Sequence, residues 1–228
     1  MTEAVVMQKS VLVGGHPRSG TSLVCQLVES GGIEFPSDFE GDEYNQGGYY
    51  EMEVAKDVSK DVIEEAMTPE NTEKMNQVVR RLNDIKGWSG LKVVRIPSMF
   101  FYRHLAKEMK AVFVFRNPAD VKASQFKRGI GEFHPSWYKN NNALIAGYEN
   151  IEDSVVISYE SVLNNPEGVK EALQEIGITI DTDIVDPEQQ TQKESKVHVK
   201  QKERELYNRL KEIEFDYSSG NSGGVFGF

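Results

Sequence analysis

The residues with the clearest chemical potential begin at Gly15. The run Val11-Leu12-Val13-Gly14-Gly15-His16-Pro17-Arg18-Ser19-Gly20-Thr21-Ser22 leads straight into the apolar-periodic Leu23, Val24 and Leu27. A short apolar strand, a glycine-containing turn and a helix start make an anion seat. Backbone N–H groups and the positive end of the helix dipole converge there on one point. Gly15 and Gly20 have the spacing of loops that cradle nucleotide phosphates, in which a lysine follows the second glycine and reaches the β- and γ-phosphates. Thr21 stands in that lysine's place, which points to a ligand with a phosphate here and no γ-phosphate beyond it. Arg18, inside the loop, supplies the cation instead. A corner that only packs is the alternative, but the hydroxyls of Ser19, Thr21 and Ser22 with an arginine at a helix start serve packing poorly.

A second anion anchor follows about a hundred residues later. The apolar run Ala111–Phe115 enters Arg116-Asn117-Pro118-Ala119-Asp120-Val121-Lys122-Ala123-Ser124. Pro118 suits the first turn of a helix, and Asn117 before it can cap. Arg116 falls at the carboxyl end of a buried strand, where open α/β sheets place ligand-binding groups. Ser124 comes eight residues on, about two helical turns, on nearly the same face. Together an arginine and a hydroxyl can clamp a phosphate by charge-assisted hydrogen bonds.

With both pieces in view, the chain resembles the sulfotransferases. Gly15–Ser22 is similar to their 5′-phosphosulfate loop, in the P-R-S-G-T-[ST] form seen in tyrosylprotein and many bacterial members. Arg116 and Ser124 are similar to the arginine and serine that bind the 3′-phosphate of 3′-phosphoadenosine 5′-phosphosulfate (PAPS) in that family. Leu91-Lys92-Val93-Val94-Arg95 resembles the K-D-P-R strand end, with Val93-Val94 in place of D-P. Ser158 to Glu167 resembles the Y-E-D-L-x-x-x-P segment. The resemblance runs from about Lys9 to Ile178, and the C-terminal R-x-G-x-x-G loop of cytosolic members has no clear counterpart, so adenosine contacts from that end stay open.

The resemblance implies transfer of a sulfuryl group from PAPS to an acceptor hydroxyl, with no metal. His16, Pro17, Arg18, Ser19, Gly20, Thr21, Ser22, Arg116 and Ser124 would hold the donor, Arg18 also neutralising charge on the transferring group. Lys92 would support the leaving group through the bridging oxygen. The base is less defined. Cytosolic members use a histidine two residues before a proline, and here that position, counted from Pro97, is Arg95. Golgi-type relatives use a glutamate, and Asn45-Gln46-Gly47-Gly48-Tyr49-Tyr50-Glu51 resembles the bacterial N-P-x-G-[YF]-[FY]-E stretch, which favours Glu51 over Glu43. His16 reads more readily as a loop histidine turned away from the site, and His104, His134 and His198 have no evident partners. Tyr44, Tyr49, Tyr50, Phe100, Phe101 and Tyr102 either line an acceptor pocket or pack in core and loops. The acceptor class, whether small molecule, lipid, carbohydrate or peptide, stays open. A P-loop kinase would need ATP, Mg²⁺ and the missing lysine; a degenerate nucleotide-binding module would bind without turnover.

The elements that must position these groups follow from the hydrophobic pattern. Short apolar runs alternating with amphipathic stretches predict an α/β domain with a parallel sheet flanked by helices, and the resemblance implies the three-layer sulfotransferase arrangement. The predicted strands are Ser10–Val13, Leu91–Val94, Ala111–Phe115 and Ser154–Ile157. Helices are predicted over Thr21–Glu29, Val54–Ala66, Glu73–Ile85, Phe101–Met109, Ala119–Lys127, Asn141–Tyr148, Glu167–Ile176 and Val199–Ile213. Ser30–Tyr50 reads as a long irregular loop, and such loops in compact domains are often functional. Residues 1–217 are expected to form one domain, followed by a Gly/Ser-rich tail, Ser218–Phe228.

The 228 residues, 39% hydrophobic and 27% charged, suit one globular domain. A net charge of −10 argues against a general nucleic-acid binder, which needs a basic surface. The single cysteine, Cys25, excludes an internal disulfide and reads as core. No apolar run is long enough for a membrane span, so the cytoplasm is the expected compartment.

Overall fold

The computed structural model describes residues 3–41, 47–64, 67–129, 136–186 and 197–216. Four strands, β1 (Met7–Gly15), β2 (Ser89–Val93), β3 (Ala106–Phe115) and β4 (Ser154–Ser158), form one all-parallel sheet in the order β2-β1-β3-β4. Side chains alternate cleanly along each strand. Val11, Val13, Val112, Val114, Val155 and Ile157 point to one face, whereas Leu12, Leu91, Val93, Ala111, Phe113 and Phe115 point to the other. Both faces are apolar, so both must be covered. On the first lie α1 (Thr21–Ser30), α7 (Tyr159–Asn164) and α8 (Pro166–Glu175). On the second lie α2 (Glu53–Glu64), α3 (Pro69–Asn83), α4 (Met99–Leu105), α5 (Pro118–Lys127), α6 (Ser136–Asn150) and α9 (Gln201–Glu212). The arrangement is the expected three-layer α/β architecture. Cys25 is fully buried in the first face, and burial holds its thiol well above the ordinary range.

The strand order creates the site. From β1 the chain passes to β2 on one side, and from β3 it passes to β4 on the other. Connections that diverge in this way leave a crevice at the carboxyl ends of the two central strands, where open α/β sheets bind ligands. The Gly15–Gly20 loop and Arg116 both open onto it.

Two elements differ from the sequence expectation. The segment Phe101–Met109 reads as one helix, but the helix stops at Leu105 and β3 begins at Ala106. Ala106 and Glu108 pair in parallel register with Met7 and Lys9 of β1. A ladder to a distant strand overrides the helix preference of Ala-Lys-Glu-Met-Lys. Helix α7 is not anticipated at all, because six residues are too few to show a helical period. Ser158 starts it, its hydroxyl accepting the Ser161 N–H at 3.1 Å.

That start is tied down by Glu214, just beyond α9. Its buried carboxylate accepts the Ser158 N–H at 2.9 Å and the Ser161 hydroxyl at 2.6 Å, and it pairs with Lys211. Burial alone would raise its pKa, but the bonds from Lys211, Ser158 and Ser161 outweigh it and the net shift is downward. A carboxyl depressed in the native state binds fewer protons there than in the unfolded chain. Its stabilisation is therefore complete above the ordinary carboxylate range and is lost as pH falls through the native pKa. Glu214→Gln should cost roughly 1–3 kcal/mol at neutral pH and much less in acid. Urea denaturation at pH 7 and near pH 3 checks this; an equal loss at both would make the role one of packing.

Candidate active site

The loop after β1 tightens at once, the Ser19 N–H donating to the His16 carbonyl at 3.0 Å. Gly20 takes the left-handed conformation, φ 88°, at the start of α1, and no side chain caps that helix. A β-carbon on Gly20 would meet Tyr159 Cδ2 at 2.2 Å, so only glycine lets the loop rest against this ring. Arg18 is also left-handed, φ 74°, as is Tyr50, φ 57°. These two are the non-glycine residues with positive φ among those described, and one lies in each segment expected to carry chemistry. Backbone strain of this kind collects at functional sites.

Around Arg18 the first cluster forms. Its Nε donates to Ser124 Oγ on α5 at 2.9 Å, and its carbonyl accepts from Arg116 Nη1 at 3.4 Å. Loop, strand end and helix, a hundred residues apart in sequence, thus meet at one point. Arg116 is 5% exposed, and its guanidinium lies 4.2 Å from the centroid of the Tyr159 ring. Its Nε and Nη2 are buried and make no hydrogen bond. Guanidinium donors in such a setting suit an anion such as a phosphate group.

Helix α5 is held at its amino end and along its buried side. Asn117 Oδ1 accepts the Ala119 N–H at 2.9 Å, the expected cap, with Pro118 in the first turn. Glu160 Oε1 accepts the Asn117 N–H at 2.9 Å. Burial raises the Glu160 carboxyl above its ordinary range despite that bond and the charge of Arg116. Lys122, from the buried side of α5, pairs with Glu203 of α9 at 2.5 Å and donates to the His198 carbonyl at 3.0 Å.

The second cluster surrounds Lys92. In register with Val13 on β2, this lysine is buried, its side chain 4% exposed. Its Nζ reaches Glu51 Oε1 at 2.9 Å, Ser22 Oγ at 2.9 Å and the Tyr49 carbonyl at 2.7 Å. Lys92, named from the sequence as leaving-group support, therefore touches both Glu51, named as the base, and the loop hydroxyl of Ser22. Glu51 Oε2 also lies 3.4 Å from Lys56, which is half-exposed.

Other sequence expectations divide. His16 is 1% exposed, its ring bracketed by the amides of Asn140 at 3.1 Å and Gln125 at 3.4 Å. The imidazole is buried beneath the loop. Pro17 is exposed at the crest of the loop. His104 is exposed on α4, before the amino end of β3 and so far from the crevice, and His198 is exposed before α9. Tyr102 is core, Phe101 packs against the core, and Tyr50 bonds Glu29 at 2.8 Å. Glu43, Tyr44, His134 and the tail Ser218–Phe228 lie outside the described residues. Among the described residues, no group of three His, Cys, Asp or Glu side chains could hold a metal ion, and no helix is long and apolar enough to cross a membrane.

Sequence reasoning missed the Tyr159 ring under Arg116, the Glu160 bond to Asn117 and the position of Arg128. The guanidinium of Arg128, just past α5, lies 3.5 Å from the Tyr49 hydroxyl. Arg128 falls four residues after Ser124, a spacing that places both on one helix face and could have drawn attention to it.

No protein-family model matches the chain, and no curated protein sequence matches it. Solved structures do. The sulfotransferase domain of the Synechococcus PCC 7002 olefin synthase aligns with a TM-score of 0.55 at 15% identity, over 92% of this chain and 96% of that one. The sulfotransferase domain from the curacin biosynthetic pathway aligns with a TM-score of 0.55 at 14% identity, over 90% of this chain and 98% of that one. At such identities the likeness is one of fold, and it extends over nearly the whole of each domain. The chain has the fold of the sulfotransferase domains.

Proposed function

We propose that this protein is a sulfotransferase, moving a sulfuryl group from PAPS to the hydroxyl of an acceptor. The observation that carries the reading is Arg116, a buried arginine at the end of β3 with two unpartnered donors, beside a loop and an uncapped helix start. A ligand with two separated anionic groups matches both features, one at Arg116 and Ser124 and the other at Gly15–Ser22. Residues 1–217 would act as one domain, and the lone buried thiol suits a reducing compartment such as the cytoplasm.

PAPS supplies the activated sulfuryl group. The protein's part is to hold, orient and move a proton. Arg116 and Ser124 bind the 3′-phosphate. Loop N–H groups with Ser19, Thr21 and Ser22 hold the phosphosulfate. Lys92 donates to the bridging oxygen, and Glu51 takes the acceptor's proton as the acceptor oxygen attacks sulfur. The new O–S bond forms as the old one breaks, and the electron pair stays on the phosphate oxygen that Lys92 supports. Arg18, whose Nε lies on Ser124, belongs in this reading to the 3′-phosphate end more than to the sulfuryl group. The acceptor is a small-molecule, lipid, carbohydrate or peptide alcohol.

The test is thermal stabilisation by the desulfated product, adenosine 3′,5′-bisphosphate, against ADP and ATP. At ~100 times Kd a ligand stabilises by roughly 2.7 kcal/mol, a rise of about 5–10 °C for a domain of this size. A rise with the bisphosphate alone is expected; a rise with ATP alone would move the reading to a phosphotransferase.

A further inference from the structure

We propose that the Lys92–Glu51 pair is a latch opened by the donor, so that the base becomes available only after the donor has bound. The inference rests on the donor reading above and goes beyond it in assigning an order of binding. An ammonium group has three N–H donors and no more. In this structure the contacts of Lys92 account for all three, on Ser22 Oγ, the Tyr49 carbonyl and Glu51 Oε1. Lys92 is also buried, with no room to gain a fourth partner from solvent. To donate to a phosphate oxygen it must give up one existing partner.

Glu51 is the partner that can leave. The Tyr49 carbonyl and Ser22 belong to backbone and loop next to the anion seat, whereas Glu51 has a second cation at hand. Lys56 lies 3.4 Å from its other oxygen and is half-exposed, so the released carboxylate keeps partial neutralisation at the mouth of the site. Until that exchange occurs, the charge of Lys92 holds the carboxylate that must accept a proton. Tyr50, strained at φ 57° immediately before Glu51, marks the backbone position about which the carboxylate would shift. Donor binding thus precedes a productive acceptor complex, and the oxygen that opens the latch is the one that later carries the leaving charge.

A double-mutant cycle read by calorimetric titration of adenosine 3′,5′-bisphosphate tests this without any acceptor. The product retains the oxygen that bridges phosphorus and sulfur in the donor, so it addresses the same contact. Glu51→Gln should tighten binding about tenfold, a coupling of the size met between contacting groups of one network. Lys92→Met should weaken it, and in that background Glu51→Gln should change Kd by no more than about twofold. Lys92→Gln serves as the second background if Lys92→Met does not fold. Equal tightening in both backgrounds would mean that Glu51 repels the phosphates directly, and would overturn the latch. Unchanged affinity in Glu51→Gln alone would overturn it too. Failure of the wild type to bind the bisphosphate would instead remove the donor reading, and the latch with it.

Discussion

Arg116→Met is expected to make the ligand-free protein more stable and at the same time to remove bisphosphate binding. Two buried donors of Arg116 have no partner, and a buried unsatisfied polar group costs about 1–3 kcal/mol. Against this, the guanidinium gains roughly 0.5–2 kcal/mol from the face of Tyr159. A methionine keeps most of the volume and the contact with the ring while removing the desolvated donors. The net gain should be about 1 kcal/mol, or roughly 2–4 °C in Tm. Losing a buried, hydrogen-bonded charge partner costs a ligand about 2–5 kcal/mol, so affinity for the bisphosphate should fall at least about 30-fold. The opposite signs are the diagnosis, since binding sites trade stability for function. Normal binding by Arg116→Met would sink the anchor role, and a large loss of Tm would make the residue a structural one.

Glu51→Gln is expected to cut turnover by about a hundredfold or more although the fold is kept and the donor binds more tightly, not less. General-base contributions run to about 10²–10⁴. The amide preserves shape and can still accept from Lys92 at its 2.9 Å contact, and tighter donor binding cannot slow turnover at saturating donor, so a lower kcat reports lost proton acceptance. The loss should fall on kcat and kcat/KM alike, since the interaction is made in the transition state. Any acceptor that the wild type sulfates in a screen of phenols, sterols, sugars and tyrosyl peptides will serve for the measurement. Near-normal turnover in the variant would remove Glu51 from the mechanism and return the search to other carboxylates.

The arrangement also clarifies what supports the Gly15–Gly20 loop, which has no lysine after Gly20. The amides of Asn140 and Gln125 bracket His16 from below, Tyr159 supports Gly20 from the side, and Arg18 reaches across to Ser124. The supports come from three elements, Ser124 and Gln125 from α5, Asn140 from α6 and Tyr159 from α7. The loop's shape is therefore a property of the assembled layers rather than of its own few residues.

Much of this was legible in one dimension. All four strands and most helices follow from local signals, such as the apolar run Ala111–Phe115, the Asn117-Pro118 helix start and the amphipathic period of α8 and α9. The Gly15–Ser22 loop is legible because a helix start and its glycines are contiguous. Arg116 and Ser124 are legible because eight residues of helix fix their relation. These features need no knowledge of distant neighbours, and so sequence by itself determined the fold class and singled out the two candidate anion anchors and Glu51 and Lys92 as candidates. What only the tertiary structure decided is which of them touch. The order β2-β1-β3-β4 brings Lys92 under the loop and sets the Arg18 side chain on Ser124, 106 positions away in sequence. It turned His16 inward, placed Tyr159 beneath Arg116 and converted Ala106–Met109 from helix to strand. In each case the deciding energy is non-local, a ladder bond, a buried ring or a desolvated charge, and local pattern carries no record of the partner that supplies it.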